Sequence, residues 1–447
     1  MSVSLSSQAV HTPTSHSNLT EWLDYMQQIH VSAIDMGLSR VLPVAEYLGV
    51  VQSAKDDAYV FTVAGTNGKG STTAVIAQMC QAAGYKTALY QSPHLSRFNE
   101  RVRIDGEMVS DETLISAFSK VEDARLHCEL TLSFFEMTTL AALLIFATAD
   151  CDVWVLEVGL GGRLDVVNII DPDMAVITNI GIDHVDWLGD NVEAIGAEKA
   201  GILRDDITLI YGAAEMPDSV QQRITAHNVT CYQAGQDFSY RVDNSATWHY
   251  SNAAVTLQLP RPALSLINTT NALSAVMASP LKVDIAAIKH ALTTVKLAGR
   301  FDYRELVHRH WLFDVAHNEQ GVSFLLSQLI PLWQQHSAQQ ANKTGTIKML
   351  FSMLGDKDIE LVVQRLTAAD LPISEWFIAE IDYPRAATVD QLQSALAEYV
   401  DPAQIQVLPT LHQATHAVIN NSQATDLIVV CGSFHTIGEA LSALDVE

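Results

Sequence analysis

Positive charge is scarce in this chain. Lys and Arg total 26 against 51 Asp and Glu in 447 residues, a formal net charge of −25. Nucleic-acid binding needs a basic face to meet phosphates, so that class of partner is not expected. Any anionic ligand must be drawn in by local positive groups working against the overall field, which makes each basic residue inside a motif informative. Long apolar runs are also missing. The richest, from Met137 to Ala149, is too short and too alanine-rich to span a bilayer, so no membrane partner is expected either. The polar start MSVSLSSQAVHTPTSHSN lacks the basic beginning and apolar centre of a signal peptide. There are only five cysteines (Cys80, Cys128, Cys151, Cys231 and Cys431), without metal-ligand spacing and several inside apolar runs. An odd number of such thiols suits the reducing cytoplasm, which is the expected location.

Core-forming residues, by contrast, are plentiful. Hydrophobic residues make up 48% of the chain, enough for two or three globular domains. Residues 1–18 read as a disordered tail and Leu19 to Leu48 as a helical stretch. From Tyr59 onward short apolar, β-branched runs alternate with helical spacing: Tyr59–Ala64, Thr87–Tyr90, Val153–Val158, Met174–Thr178 and Thr208–Tyr211. That alternation predicts an α/β fold with a doubly wound, mostly parallel sheet. Thr230 to Pro262 reads as antiparallel strands at the edge of that sheet, followed by helices over Asn271–Ala278 and Asp284–Leu292. The pattern restarts near Arg300, with strands at Trp311–Val315, Ile347–Phe351, Glu375–Ile381 and Asp426–Cys431. The glutamine-rich stretch Gln334 to Lys343 reads as an exposed loop. The expected organisation is therefore a tail (1–18), a P-loop-type domain (19–297) and a smaller Rossmann-like α/β domain (298–447).

The segment GTNGKGS, Gly65 to Ser71, departs from the usual phosphate loop, which has two glycines five apart and a hydroxyl directly after the lysine. Its context is nevertheless that of an anion site. The apolar strand Tyr59–Ala64 precedes it, and a helix with Val75, Ile76, Met79 and Cys80 on one face follows. A strand, a glycine turn and a helix start bring backbone N–H groups and the helix dipole to one spot. Lys69 adds a full charge, and Ser71 or Thr72 a hydroxyl for Mg²⁺. The later run GLGGRLD could be mistaken for a dinucleotide fingerprint, but Leu164 stands where the third glycine is required.

Six further stretches accompany this loop: QSPHLSRFNERVRIDG (Gln91–Gly106), EVGLGGRLDVVN (Glu157–Asn168), TNIGIDHVDWLG (Thr178–Gly189), IGAEKAGILR (Ile195–Arg204), AGRFD with FDVAHNEQG (Ala298–Asp302 and Phe313–Gly321), and CGSFHTIGE (Cys431–Glu439). Together, in this order and spacing, they resemble the folylpolyglutamate synthase and dihydrofolate synthase family, relatives of the Mur ligases. The resemblance covers Leu19 to Leu444. A Mur-type cell-wall amino-acid ligase is the alternative within the superfamily. It is disfavoured because Mur loops carry Thr at the place of Gly70, and because SPHL with FNERVRI is a folate-side feature.

The resemblance implies an ATP- and Mg²⁺-dependent ligase that adds L-glutamate to dihydropteroate and to tetrahydrofolate through an acyl phosphate. It also implies a monomer. Such chemistry rests on positioned phosphates and positive charge rather than on a protein nucleophile, and no Ser-His-Asp or Cys-His signature is present. By resemblance, Gly65, Thr66, Asn67, Gly68, Lys69, Gly70 and Ser71 hold the ATP phosphates, Asn268 and Asn271 the adenine, and Arg300 and Asp314 further parts of the nucleotide. Two Mg²⁺ sites would use Ser92, Glu157, His184 and Lys199. The residues alone would suggest Zn²⁺ or Mn²⁺ at His184, because Mg²⁺ prefers oxygen. Pro93, His94, Arg97, Phe135 and Asp165 would border the pterin, and His317, Ser433 and His435 the glutamate. The small and apolar neighbours of Lys199 suggest partial burial, and the resemblance puts a carbamylated lysine at this position. The implied catalytic set is Lys69, Lys199, Arg300 and His317. Lys69→Ala should therefore remove most of the ADP release measured with dihydropteroate and glutamate, and near-normal turnover would refute the ATP-loop assignment.

Overall fold

The central parallel strands form where β-branched, aromatic and other apolar residues run together for four to six positions. The computed structural model describes residues 12–14, 16–30, 37–243, 246–338 and 345–446. They make two compact units: one holds the residues up to Ser92 together with Asn99–Val295, the other Pro93–Phe98 together with the residues from Lys296 onward. The sequence alone predicts one unbroken domain over 19–297, whereas Pro93–Phe98 belongs to the second unit. Among the described residues no helix is long and apolar enough to cross a membrane.

The first unit is built on eight strands: β1 Tyr59–Ala64, β2 Thr87–Tyr90, β3 Val102–Ile104, β4 Glu107–Met108, β5 Val153–Glu157, β6 Met174–Ile177, β7 Thr208–Tyr211 and β8 Thr230–Gln233. They lie in the order β4-β3-β2-β5-β1-β6-β7-β8. The six from β2 to β8 are parallel, while β3 runs antiparallel to β2 and β4 antiparallel to β3. The doubly wound expectation holds. The chain leaves β1 towards β2 on one side of it and crosses from β5 to β6 on the other, so the winding reverses at β1. Beyond the carboxyl ends of the strands at such a reversal the backbone opens into a cleft.

The antiparallel strands expected at the sheet edge form a separate sheet: β9 Phe238–Val242, β10 Thr247–Asn252 and β11 Thr256–Pro260, in the order β11-β10-β9. Only β8 joins the main sheet. Trp248 and Tyr250 of β10 are buried, and the Tyr250 hydroxyl meets Ser274 Oγ at 3.1 Å, tying this small sheet to the helix Leu266–Ala278. That helix begins five residues before the predicted Asn271, because Leu266, Thr269 and Thr270 are buried against the rest of the unit.

The continuous helix expected over Leu19 to Leu48 is broken. Helices cover Leu19–Gln28 and Leu42–Tyr47, and residues 31–36 lie outside those described. Of the expected tail, residues 1–11 and 15 lie outside the description. Asn18 caps the first helix by accepting from the Glu21 N–H, and the Thr14 carbonyl accepts from Trp22 Nε1 at 3.2 Å. A buried ionic group secures this region: Arg125 pairs with Glu122 at 2.5 Å, and the Tyr25 hydroxyl donates to Glu122 Oε1 at 2.7 Å. Nearby, Arg40 pairs with Glu136 at 2.5 Å, within the capping box that starts the helix Phe134–Thr148.

The second unit has six strands: β12 Asp302–Leu306, β13 Arg309–Asp314, β14 Ile347–Phe351, β15 Ile373–Ile378, β16 Ile405–Val407 and β17 Leu427–Cys431. Their order is β12-β13-β17-β14-β15-β16, parallel except for β12. Apolar cores cover both faces, one around Met349, Val363 and Val429, the other around Phe313, Leu350, Val430 and Ile437. Leu95, from the segment Pro93–Phe98, packs into the second of these. A Cβ at Gly299 would lie 3.0 Å from Leu95 Cδ1, and one at Gly438 only 2.4 Å from the Leu95 carbonyl oxygen. The predicted loop at Gln334 is instead the last turns of a helix, Glu319–Ala338, since His336 is buried and takes the Thr425 carbonyl at 3.1 Å. Residues 339–343 of that stretch lie outside the description.

Removing Glu122 would leave the Arg125 guanidinium buried beside a neutral cavity, and breaking a buried pair in this way costs about 3–5 kcal/mol. Glu122→Ala should therefore lower the urea midpoint of the first unit, read by circular dichroism. A midpoint equal to that of the wild type would show the network to be energetically idle.

Candidate active site

One cleft in the first unit lies at the carboxyl ends of β1, β5 and β6. It is lined by Gly65, Thr66 and Lys69 after β1, by Val158 to Gly161 after β5, by Asp183, His184 and Leu188 after β6, and by Lys199. The glycine loop makes its floor. Gly68 has φ of 86°, the left-handed region that glycine enters without strain, and the helix Lys69–Ala82 starts directly after it. A Cβ at Gly68 would sit 2.3 Å from Asn268 Oδ1, and one at Gly65 1.8 Å from Thr178 Oγ1. Both glycines are therefore required for close approach as well as for conformation.

The loop is held from behind by a latch that the sequence reading did not assign. Thr178 Oγ1 donates to the Asn67 carbonyl at 2.6 Å, and Asn179 Nδ2 donates to the same oxygen at 3.0 Å. The Asn67 N–H donates to Asn179 Oδ1 at 3.0 Å, and the Gly181 N–H to Thr66 Oγ1 at 3.0 Å. The run Thr178-Asn179-Ile180-Gly181 after β6 thus fixes the loop after the neighbouring strand β1. Its signal in the sequence was only its place within TNIGIDH. With the loop so fixed, Lys69 Nζ folds over it, donating to the Gly65 carbonyl at 3.1 Å. Thr72 Oγ1, in the first turn of the helix, is buried with no hydrogen-bond partner in the protein. Buried hydroxyls are normally satisfied, so this one suits an added ligand at the helix start.

The second lysine arrives by a different route. The helix Val192–Lys199 ends at Lys199, and the loop after β5 is pressed onto that end. The Arg163 N–H donates to the Glu198 carbonyl at 2.8 Å, and the Arg163 side chain pairs with Glu198 at 2.7 Å. A Cβ at Gly162 would lie 2.7 Å from the Glu198 carbonyl oxygen and 3.1 Å from Lys199 Cα. Gly162 of GLGGR therefore serves close backbone packing. Lys199 is only 3% exposed. Burial pushes its ammonium down to about 7; the nearby Lys69 charge pushes it the same way, and Asp183 opposes both. His184 stands in the left-handed region at φ 52°, with Nε2 3.9 Å from Asp183 Oδ2.

Other predicted residues are not among those lining this cleft. Glu157 closes β5, opposite Val63 of β1, and is buried. Ser92 is the last residue of the first unit before the chain departs. Among the described residues no three His, Cys, Asp or Glu side chains converge into a metal cage, so any ion here would rely on water or substrate oxygens as well. Asp165 accepts N–H bonds from Leu160 and Val167, both at 2.9 Å, yet burial still pushes its carboxyl up to about 6. The Phe135 ring packs at the start of its helix between Gly159, whose added Cβ would fall 2.4 Å from it, and Tyr90. Pro93, His94 and Arg97, grouped with Phe135 and Asp165 by the sequence reading, belong to the segment that joins the second unit. Asn268 lies against the glycine loop, whereas Asn271 is fully buried beside Gly212.

In the second unit, the carboxyl ends of β13, β14 and β17 gather the remaining residues. Asp314 accepts from the Phe301 N–H at 2.8 Å and the Ala316 N–H at 2.9 Å. Its carboxyl is raised by burial, with Arg300 opposing. The Arg300 guanidinium lies 4.8 Å from the centre of the Phe434 ring. His317 Nδ1 lies 2.8 Å from the Val315 carbonyl. Ser433 caps the helix Phe434–Ala443, and Thr436 Oγ1 donates to the Ser352 carbonyl at 2.8 Å. His435 stacks on Tyr383 at 4.1 Å, and burial lowers its pKa.

Comparison with known proteins identifies the family. Residues 63–279 match the Mur ligase middle domain and residues 299–434 the Mur ligase glutamate ligase domain. A dihydrofolate synthase/folylpolyglutamate synthase of Escherichia coli is 38% identical over 437 residues, covering 98% of each chain. The structure of E. coli FolC in complex with DHPP and ADP superposes with a TM-score of 0.88, at 38% identity over 97% of this chain and 99% of that one. A bifunctional folylpolyglutamate synthase/dihydrofolate synthase with Mn, AMPPNP and L-glutamate bound gives a TM-score of 0.87 at 34% identity, over 98% of this chain and 100% of that one. Strand order, glycine loop and overall similarity lead to the same place: the chain belongs to the dihydrofolate synthase/folylpolyglutamate synthase family of the Mur ligases.

Proposed function

We propose that this chain is the cytoplasmic ligase that joins L-glutamate to dihydropteroate, forming dihydrofolate, and to tetrahydrofolate, forming folylpolyglutamates, at the expense of ATP. The observation that carries the reading is the convergence of Lys69, Asp183, His184 and Lys199 on one cleft above a glycine loop and helix start. In a chain of net charge −25, Lys69 set beside the N–H groups of a helix start draws an anion by local positive charge. Nucleotides, DHPP and L-glutamate bound to the related structures fit that requirement. The acidic composition supports small-molecule substrates rather than nucleic acid, and a monomer suffices, as the resemblance implies.

The reaction follows from what the side chains can do. The substrate carboxylate attacks the γ-phosphorus, ADP leaves, and an acyl phosphate remains; the amine of glutamate then attacks the acyl carbon and phosphate departs as the amide forms. The N–H groups at the start of the helix Lys69–Ala82, with Lys69 itself, bind and orient the phosphates, while Asn268 borders the adenine end with Asn271 packed behind it. Arg300 meets charge that builds up on the transferred group, Asp314 holds the turn that aims it, and His317, Ser433 and His435 take the incoming glutamate. Phe135 and Asp165 receive the pterin, with Pro93, His94 and Arg97 at its border. Mg²⁺, when bound at two sites, supplies positive charge to the phosphate oxygens. The orphaned Thr72 hydroxyl and the buried Glu157 carboxylate fit one such ion beside Ser92, and His184 with Lys199 fits the other.

Lys199 fits a cation only after modification, since an ammonium would repel it. With its amine pushed down to about 7, a large neutral fraction is present at and above that pH. The lone pair of Nζ attacks CO₂, an N–C bond forms as one C–O π bond breaks, one proton leaves to solvent, and the product is a carbamate whose single negative charge is shared by two oxygens. We infer that Lys199 is carbamylated in the working enzyme.

The product assignment is tested by mass spectrometry of reactions supplied with ATP, glutamate and either dihydropteroate or tetrahydrofolate. Each should gain whole glutamyl increments, and a pterin substrate that gains none removes that half of the assignment. For the site, Glu157→Gln should lower Mg²⁺ affinity and turnover together while folding is kept. Lys199→Ala should lose most activity and regain part of it with a short carboxylic acid. Wild-type protein stripped of CO₂ should slow and recover with bicarbonate, more readily above pH of about 7 than below, because only the neutral amine reacts. Indifference to both bicarbonate and acid rescue would refute the carbamate.

A further inference from the structure

Away from this cleft, two pairs of histidines come together, and they differ in what their nitrogens face. His310 and His336 have ring centres 4.7 Å apart, but His310 Nδ1 lies 2.8 Å from the Tyr303 hydroxyl and His336 Nε2 lies 3.1 Å from the Thr425 carbonyl. His336 is moreover buried in the second unit, so this pair is occupied by structural bonds.

The other pair is placed differently. His412 and His416 stand four residues apart on the helix Leu411–Asn420, with ring centres 6.0 Å apart. Residues at this spacing lie one above the other on a single helix face. Leu411, Ala414, Thr415 and Val418 bury the opposite face, which leaves both imidazoles exposed to solvent. The helix is fixed by its Thr410 cap and by packing against the helix Phe434–Ala443. On that second helix Glu439 is near enough to His412 for the two to interact electrostatically, while its Oε1 accepts the Asp382 N–H at 2.9 Å. Two imidazoles held one turn apart, next to a carboxylate, offer two nitrogen ligands and a negative potential. Nitrogen donors select borderline transition ions and not Mg²⁺, which takes oxygen.

We propose that His412 and His416 form a surface binding site for a borderline divalent ion of the Zn²⁺, Ni²⁺ or Cu²⁺ class, with water completing the coordination. The site is separate from the residues assigned to nucleotide, pterin and glutamate. It staples the first two turns of a helix that packs against the one opened by Ser433 and His435. Because the protein supplies only two ligands, the ion exchanges readily and leaves open positions for a further ligand.

The test is calorimetric titration of Zn²⁺ into the full-length chain without nucleotide, with His184→Ala as a control for ion binding in the cleft. The expected result is a one-to-one site that persists in His184→Ala and weakens roughly 10-fold or more in His412→Ala and in His416→Ala. Ligase activity measured with Mg²⁺ after chelation should be unchanged in both surface variants, and so should their thermal midpoints. Both residues are exposed, so the variants should fold. Zn²⁺ binding that is the same in wild type, in both single variants and in the double variant would overturn the proposal. So would binding that disappears in His184→Ala alone.

Discussion

Two lysines facing one cleft in a strongly acidic chain is the constraint from which the rest of the first unit can be understood. Lys69 and Lys199 are delivered by separate helices, and each must be held where the other's charge opposes it. The protein meets this with backbone rather than with counter-charges. Gly68 and Gly65 let the loop after β1 press on Asn268 and Thr178, and Gly162 lets the loop after β5 press on the end of the helix carrying Lys199. Asp183 alone among the lining residues offers a compensating carboxylate. Burial lowers the Lys199 ammonium as well, which eases the repulsion between the two lysines.

Much of this was legible in the sequence because it is written locally. Buried parallel strands are short and almost wholly apolar, so β1, β5 and β6 declared themselves, and the glycine turn after β1 marked the helix start. The small residues around Lys199 announced its burial. What was not legible depends on partners distant in the chain. The latch from Thr178 and Asn179 to Asn67 joins residues 111 and 112 positions apart, and no property of either segment signals the other. The same holds for Leu95, whose apolar side chain gives no hint that its core lies in the other unit. The stretch at Gln334 misled for a different reason: its polar composition suggested a loop, but His336 finds a buried acceptor and the helix continues. The small sheet β9 to β11 has the alternation of an edge. Its buried Trp248 and Tyr250 face a helix and not the main sheet, and composition alone cannot distinguish these partners.

In the second unit the Asp314 carboxylate ties down both the Phe301 and Ala316 N–H groups beside Arg300. Phe301 sits at φ 48°, an uncommon conformation for a bulky side chain, and the carboxylate bond to its N–H is what sustains it.

The excursion of Pro93–Phe98 has a consequence for anyone who would divide this gene. A fragment beginning at Lys296 would contain every strand of the second unit and still be incomplete. The recess formed by Gly299, Ile437 and Gly438 would lack its Leu95 plug and present apolar surface to water. A fragment ending at Val295 would carry that plug with nothing to receive it. The two halves are distinct as folded bodies but not as stretches of text, so a cut at Val295 separates Leu95 from the core it fills.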